Sequence, residues 1–215
     1  ALFGIFILIF SLIKIINTGY INGLDSSNPL SYSSYIIKIL SIAIYSISLM
    51  ITYTISCIYH ALKRNNGKKV LRIIDHDTVY LLISGTYTPY CLISLRNVKL
   101  YNIIPYSGYI ILAIVYILII LGIVFNSINI NKFKILSFIM YIVSGWMIIF
   151  EAKEILNIIG FNGFILLLMG GISYTLGSIL YGIGSKKSVW FHTVFHIFVL
   201  IGTILQFVSI YLYVI

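Results

Sequence analysis

The chain has 215 residues, of which 60% are apolar and 9% are charged, and its mean hydropathy is +1.07. Soluble domains average about 45–50% apolar and about 25% charged residues, so this composition argues against a water-soluble fold and against disorder. We attribute the net charge of +9 to basic loops that face an anionic membrane surface. The sequence contains no basic patch that would indicate a nucleic-acid partner. The composition therefore predicts a multi-pass integral membrane protein whose surroundings are the lipid bilayer.

Seven apolar segments are close to the roughly 20 residues that a membrane-spanning helix needs. The first starts at residue 1, which we interpret as a chain beginning inside its first helix. Together the segments predict an all-α, seven-transmembrane helix bundle, organised as one domain over residues 1–215. They lie at residues 1–16, 35–59, 78–95, 103–125, 133–150, 159–181 and 190–215.

Polar residues, glycine and proline separate these segments and predict short connections. Asn17–Ser34 is expected to be a loop, and Asn65-Asn66-Gly67 and Gly182–Ser188 are expected to be turns. Glu151, with Lys153 and Glu154, is expected to lie in a solvated loop after the fifth segment.

The basic residues predict the orientation of the chain in the membrane. The side that holds the N-terminus carries nine of them, and the opposite side carries five, so the positive-inside rule places the N-terminus in the cytoplasm. The nine are Lys63, Arg64, Lys68, Lys69, Arg72, Lys132, Lys134, Lys186 and Lys187, and the five are Lys14, Lys38, Arg96, Lys99 and Lys153.

Three histidines and one aspartate fall at the same predicted depth. His60 ends the second segment on the cytoplasmic side, Asp75 precedes the third, and His192 and His196 begin the seventh. Ionisable groups at membrane depth are costly and usually mark a functional site. The topology was deduced from apolar segments and basic residues alone, so this agreement is independent of it.

The types and spacing of these residues indicate a metal site. His192 and His196 are four residues apart and therefore share one helix face, where two imidazoles can bind one Zn²⁺. His60 would be the third ligand, which leaves the fourth position to water, as in catalytic zinc sites. Asp75 could serve as general base or acid, and Ser56, one turn before His60, could orient His60 or the water.

Other interpretations of each residue stay open. The two histidines of the seventh segment could bond neighbouring helices, and His60 could reach the lipid head groups. Asp75 could be a helix N-cap, and we expect His76 and Asp77 to be loop or cap residues. Cys57 could be a thiolate ligand or a small packing residue.

Several small or polar residues inside the segments favour bending or close packing. Pro89 is expected to kink the third helix, which would either open a cavity or serve local packing. Gly170 and Gly177 permit close approach of the sixth helix to a neighbour. Gln206 is expected to bond a neighbouring helix.

The ordered motifs resemble the signature of the hemolysin III family over almost the whole chain. This family groups with the progestin and adiponectin receptors and, more distantly, with the alkaline ceramidases. The resemblance implies a seven-helix bundle with a cytoplasmic N-terminus and zinc held by His60, His192 and His196, with Asp75 and Ser56 beside the zinc-bound water. The motifs are Ser56-Cys57-Ile58-Tyr59-His60, Ile74-Asp75-His76, Leu82-Ile83-Ser84-Gly85-Thr86-Tyr87-Thr88-Pro89 and Trp190-Phe191-His192-Thr193-Val194-Phe195-His196.

Three functions are compatible with this site and family. The first is a zinc-dependent hydrolase that cleaves the amide bond of a lipid such as ceramide. The second is a non-catalytic receptor or sensor in which zinc has a structural role. The third is a membrane-permeabilising cytolysin, although no segment has the polar stripe that a pore lining requires.

Overall fold

The computed structural model describes residues 2–21, 29–63, 65–99, 106–184 and 189–215. Within these residues the chain is helical and contains no strand. The α-helix is the expected solution in lipid, because each backbone N–H and C=O must be bonded inside its own segment. Contacts divide the chain into two compact units, Ala1–Met147 together with Ile215, and Ile148–Val214.

The first unit contains five α-helices in which neighbours in sequence pack together. Helix α2 contacts α1 and α3, and α3 contacts both α4 and α5. Helix α3 is therefore the central element of this unit. The helices are α1 (Leu2–Ile21), α2 (Pro29–Ala61), α3 (Asn66–Pro89), α4 (Ser107–Asn129) and α5 (Lys134–Trp146).

The second unit is built mainly from two long helices, α6 (Ala152–Gly184) and α7 (Val189–Ser209), which pack against each other. A 3₁₀ turn, Met147–Glu151, leads into α6, and a π-helical turn, Ile210–Val214, follows α7. Inside α6 the backbone leaves helical geometry only at Gly160, where φ is 70°. That conformation is accessible to glycine at little steric cost.

Five helical runs among the described residues are long and apolar enough to cross a membrane. They are Leu2–Gly19, Ser33–Ala61, Ser107–Asn129, Lys134–Gly182 and Trp190–Val214. Helix α3 is not among them, because its first half, up to Asp77, carries three basic and two acidic residues besides His76. The all-helical membrane architecture predicted from composition is thus confirmed.

The helices extend beyond the predicted apolar segments, and several loop predictions are wrong. Residues 17–21 belong to α1 and residues 29–34 to α2, and Asn66 and Gly67 already lie in α3. Apolar runs mark only the part of a helix that contacts lipid, whereas polar residues continue the helix into the interface. The middle of the first predicted loop, residues 22–28, and residues 185–188 of the last predicted turn lie outside the described residues.

The loop predicted after the fifth segment is also wrong. Glu151 is only 2% exposed and lies in the 3₁₀ turn, while Lys153 and Glu154 lie in the first turn of α6. No proline or glycine interrupts this stretch, so nothing forces the chain out of helix. A carboxylate in a first turn, such as that of Glu154, also favours the helix N-terminus electrostatically.

Pro89 changes the type of helix at its position. Regular α-helix ends at Pro89, and a π-helical turn, Tyr90–Ser94, continues the segment. Because proline lacks the N–H that would bond to the fourth preceding carbonyl, regular helical bonding cannot continue through it. Pro89 is buried, as are Tyr90 and Cys91, which favours the packing interpretation of this motif.

Candidate functional site

Helices α2 and α3 approach each other closely at Gly85 of α3. A Cβ atom at this position would overlap the side chain of Ser48 on α2. The Ser48 hydroxyl donates to the Tyr45 carbonyl at 2.7 Å, within its own helix. Small residues at such crossings let two membrane helices approach closely, so Gly85 brings the polar residues further along both helices within reach of each other.

One hydrogen bond continues this contact towards the candidate site. Thr52 Oγ1 lies 3.0 Å from the Thr78 carbonyl oxygen of α3 and 2.8 Å from the Ser48 carbonyl oxygen of α2. Thr78 Oγ1 in turn donates to the Asp75 carbonyl oxygen at 2.7 Å. Thr52 is one turn before Ser56 on the same face of α2, and Thr78 is nearly one turn after Asp75 on α3. This bond therefore sets the register of the two helices next to the site.

Asp75, Ser56 and His60 come together in the first unit. The Ser56 side chain is hydrogen-bonded to the Asp75 carboxyl group, and His60 is close enough to interact with Asp75 electrostatically. Asp75 is half-buried, whereas His60 is exposed. The structure thus places three of the predicted site residues on facing positions of α2 and α3.

Asp75 is not a helix cap, and His76 and Asp77 are not loop residues. Helix α3 begins at Asn66, and Asn65 is its N-cap, with its side chain accepting from the Lys68 N–H at 2.8 Å. The predicted start was too late because the first half of α3 is polar and lacks an apolar pattern.

His192 and His196 form a pair in the second unit. Their Nε2 atoms are 3.0 Å apart, and the ring centroids are 4.6 Å apart at an angle of 83°. Two nitrogen ligands at about 2.0–2.1 Å from a tetrahedral Zn²⁺ lie about 3.3 Å from each other. The pair therefore fits two positions of a zinc site with little adjustment.

Packing between α6 and α7 holds the helix that carries this pair. A Cβ atom at Gly177 would lie 2.9 Å from Phe198 Cβ, and one at Gly170 would lie 2.6 Å from Gln206 Cγ. Ser173 Oγ donates to the Phe198 carbonyl oxygen at 2.7 Å. The predicted role of the two glycines in close helix packing is confirmed. Gln206 packs on α6, but its Oε1 is buried and accepts no hydrogen bond from the described residues, so the expected bond to a neighbouring helix is not seen at this atom.

Aromatic rings surround the histidine pair. The Tyr181 ring lies 5.4 Å from the His192 ring and 5.2 Å from the Phe195 ring, and Phe195 lies 5.2 Å from His196. These rings limit the orientations available to both imidazoles. Cys57, by contrast, is exposed on α2, which argues against its interpretation as a small packing residue.

Sequence reasoning missed a second polar cluster, on the opposite face of α3. It joins Asp77 to Asn126 of α4 and to Ser137 and Tyr141 of α5. Asn126 directly follows the apolar run 117–125, and an amide at the end of such a run was the available signal. Thr52 was also missed, although Thr52, Ser56 and His60 repeat at the four-residue spacing of one helix face.

Comparison with known proteins agrees with the resemblance seen in the motifs. The model of the family described as "Haemolysin-III related" matches residues 2–207. The chain is 35% identical over 176 residues to Hemolysin-3 of Bacillus cereus, which covers 82% of this chain and 76% of that protein. It is 35% identical over 175 residues to the Hemolysin-3 homolog of Bacillus subtilis (strain 168), which covers 81% and 78%. No solved structure matches the chain.

Proposed function

This chain belongs to the haemolysin III-related family, and we propose that it is a zinc-dependent hydrolase of an amide bond in a membrane lipid. It is a multi-pass integral membrane protein, so a lipid substrate would reach it from the bilayer. The observation that carries the proposal is the Asp75 carboxyl group, bonded to Ser56 and adjacent to His60. A half-buried carboxylate beside a metal-ligating residue is the arrangement that general acid–base catalysis needs.

The proposed zinc ligands are His60, His192 and His196. Support comes from the donor chemistry, since imidazole nitrogen is a preferred ligand of Zn²⁺, and from the short separation within the α7 pair. Three protein ligands leave a position for water or substrate, which is typical of catalytic rather than structural zinc. A zinc ion bound there would supply Lewis acidity, which makes water more acidic at neutral pH.

The chain's own residues would carry the proton. Asp75 accepts a proton from the water molecule as its oxygen adds to the amide carbon. The same carboxyl group then gives that proton to the amide nitrogen as the carbon–nitrogen bond breaks, so a fatty acid and an amine are released. Ser56 donates a hydrogen bond to Asp75 and thereby keeps one carboxylate oxygen oriented throughout.

The experiment combines a lipid-product screen with one substitution. Purified protein loaded with zinc is incubated with a panel of amide lipids, and released fatty acid is measured by mass spectrometry. We expect turnover by the wild type and a loss of about 10²–10⁴-fold in Asp75→Asn, because this change removes basicity but keeps size. Zinc content should stay close to that of the wild type.

The matched control is Glu154→Gln, which removes a carboxylate from α6 and should leave turnover unchanged. Wild-type turnover in Asp75→Asn would remove Asp75 from the mechanism. Fully zinc-loaded wild type that releases no fatty acid from any amide lipid would refute the hydrolase proposal and favour a receptor or sensor.

A second candidate function is membrane lysis, which the names of the two Bacillus relatives favour. Leakage of dye from liposomes, measured with the wild type and with Asp75→Asn, separates the two candidates. Lysis that Asp75→Asn leaves intact would be independent of the proposed chemistry.

For the membrane arrangement we propose seven spans with a cytoplasmic N-terminus. The basic asymmetry of nine against five residues supports this orientation. It requires α3 to cross the membrane although its first half is polar.

A further inference from the structure

Asp77 lies on the side of α3 that faces away from Asp75. Positions two residues apart in an α-helix differ by a rotation of about 200° around the axis, so their side chains point in nearly opposite directions. Asp75 faces Ser56 of α2, whereas Asp77 Oδ1 accepts a hydrogen bond from Asn126 Nδ2 of α4 at 3.1 Å. Helix α3 is therefore held by polar contacts on two opposite faces.

Asn126 is the centre of the cluster on the second face. It is 1% exposed, and its Nδ2 also donates to Tyr141 Oη at 3.2 Å. Its Oδ1 accepts from Ser137 Oγ. Both amide hydrogens and the amide oxygen are thus used, and the amide connects three helices at one point.

The same cluster reaches the backbone of α3 beside Asp75. Tyr141 Oη donates to the His76 carbonyl oxygen at 2.9 Å. Tyr80, one turn further along α3, donates from its Oη to the Ser137 carbonyl oxygen at 3.2 Å. The Tyr80 ring packs 4.2 Å from the Tyr141 ring. Contacts at residues 76, 77 and 80 fix both the rotation of α3 about its axis and its position along that axis.

We infer that Asp77, Asn126 and Tyr141 are positioning residues that aim Asp75 at Ser56 and His60. The inference rests on the proposed role of Asp75 in catalysis. Apolar contacts alone would let α3 rotate at small cost, because lipid tails and apolar side chains are similar surroundings. Hydrogen bonds of fixed direction do not allow this rotation.

The test measures the direction of residue 75 without using activity. Ser56→Cys and Asp75→Cys are introduced together after Cys57→Ser and Cys91→Ser, and the rate of disulfide formation is followed in membranes. We expect Tyr141→Phe, added to this background, to slow cross-linking about 3–10-fold, the effect of losing one such hydrogen bond. Tyr116→Phe on α4 is the control, since its hydroxyl bonds to none of the described residues, and it should leave the rate unchanged.

A second measurement uses the intact chain with its native Asp75. Tyr141→Phe should lower kcat about 3–10-fold, with KM and zinc content unchanged. Absence of turnover in the wild type would refute the proposed function, yet the cross-linking rate would still decide the positioning role. Equal cross-linking rates in Tyr141→Phe and its parent would overturn the inference, even if Tyr141→Phe lowers thermal stability.

Discussion

At the scale of single residues, the proposed chemistry depends on few side chains. Asp75 and Ser56 meet between α2 and α3, and His192 and His196 meet on α7. The first pair is supported by a hydrogen bond between Thr52 and Thr78, and the second is surrounded by the rings of Tyr181 and Phe195. In an apolar protein these directed bonds are what distinguishes one side-chain arrangement from another.

The zinc ligands give the prediction that belongs to this scale. Each of the variants His60→Ala, His192→Ala and His196→Ala removes a direct zinc ligand. Loss of a group that only hydrogen-bonds to a ligand lowers metal affinity by roughly 10–100-fold. We therefore expect a larger loss of zinc affinity in each of these three variants. Metal content of purified variants, measured by mass spectrometry, checks this.

His76→Ala is the matched control for these variants. His76 is adjacent to Asp75 but about 100° away around α3, and its contribution to the second polar cluster is a backbone carbonyl. Full zinc occupancy is expected in this variant. Loss of zinc in His76→Ala together with retention in His60→Ala would show that the ligand set is wrongly assigned.

The sequence marks the candidate site residues more clearly than the ends of the helices that carry them. His60, Asp75, His192 and His196 stand out because ionisable side chains are rare in apolar segments. The start of α3 was placed 12 residues too late, at 78 instead of Asn66, because a polar helical half has no apolar run to mark it. The cluster around Asn126 depends on which helices pack together, and one chain's periodicity does not encode that.

At the scale of elements, the crossing of α2 and α3 yields a stability prediction. Gly85→Ala should destabilise the protein by about 1–3 kcal/mol, because the added methyl group would overlap Ser48 and force the helices apart. Unfolding in detergent micelles, followed by circular dichroism, measures the difference.

Gly145→Ala on α5 is the control for Gly85→Ala. A Cβ atom there meets no atom within 4 Å, so the change should be neutral or stabilising by up to about 1 kcal/mol, as for alanine replacing glycine in a helix. Equal stability of the two variants would mean that the close approach at Gly85 does not determine the packing of α2 on α3.

At the scale of the whole molecule, the prediction concerns which helices cross the membrane. Five described runs satisfy length and hydropathy together, and seven spans require in addition that α3 crosses and that the run Lys134–Gly182 crosses twice. Five spans, like the seven that we propose, would place the two ends of the chain on opposite sides of the membrane. The two arrangements differ in the side of the membrane on which the loops between the helices lie.

Single cysteines at Lys68, Lys99 and Lys132, introduced after Cys57→Ser and Cys91→Ser, report these positions through a membrane-impermeant maleimide applied to intact cells. We expect Lys99→Cys to be labelled from outside, and Lys68→Cys and Lys132→Cys to be labelled only after the membrane is opened. The reason is that the residues from Thr78 to Ser94 form one continuous helical segment, apolar for the most part, while the basic residues before it favour the cytoplasm. If Lys99→Cys and Lys68→Cys are labelled from the same side, α3 does not span the membrane. Asp75 would then lie at the surface rather than at the depth that a lipid amide bond requires.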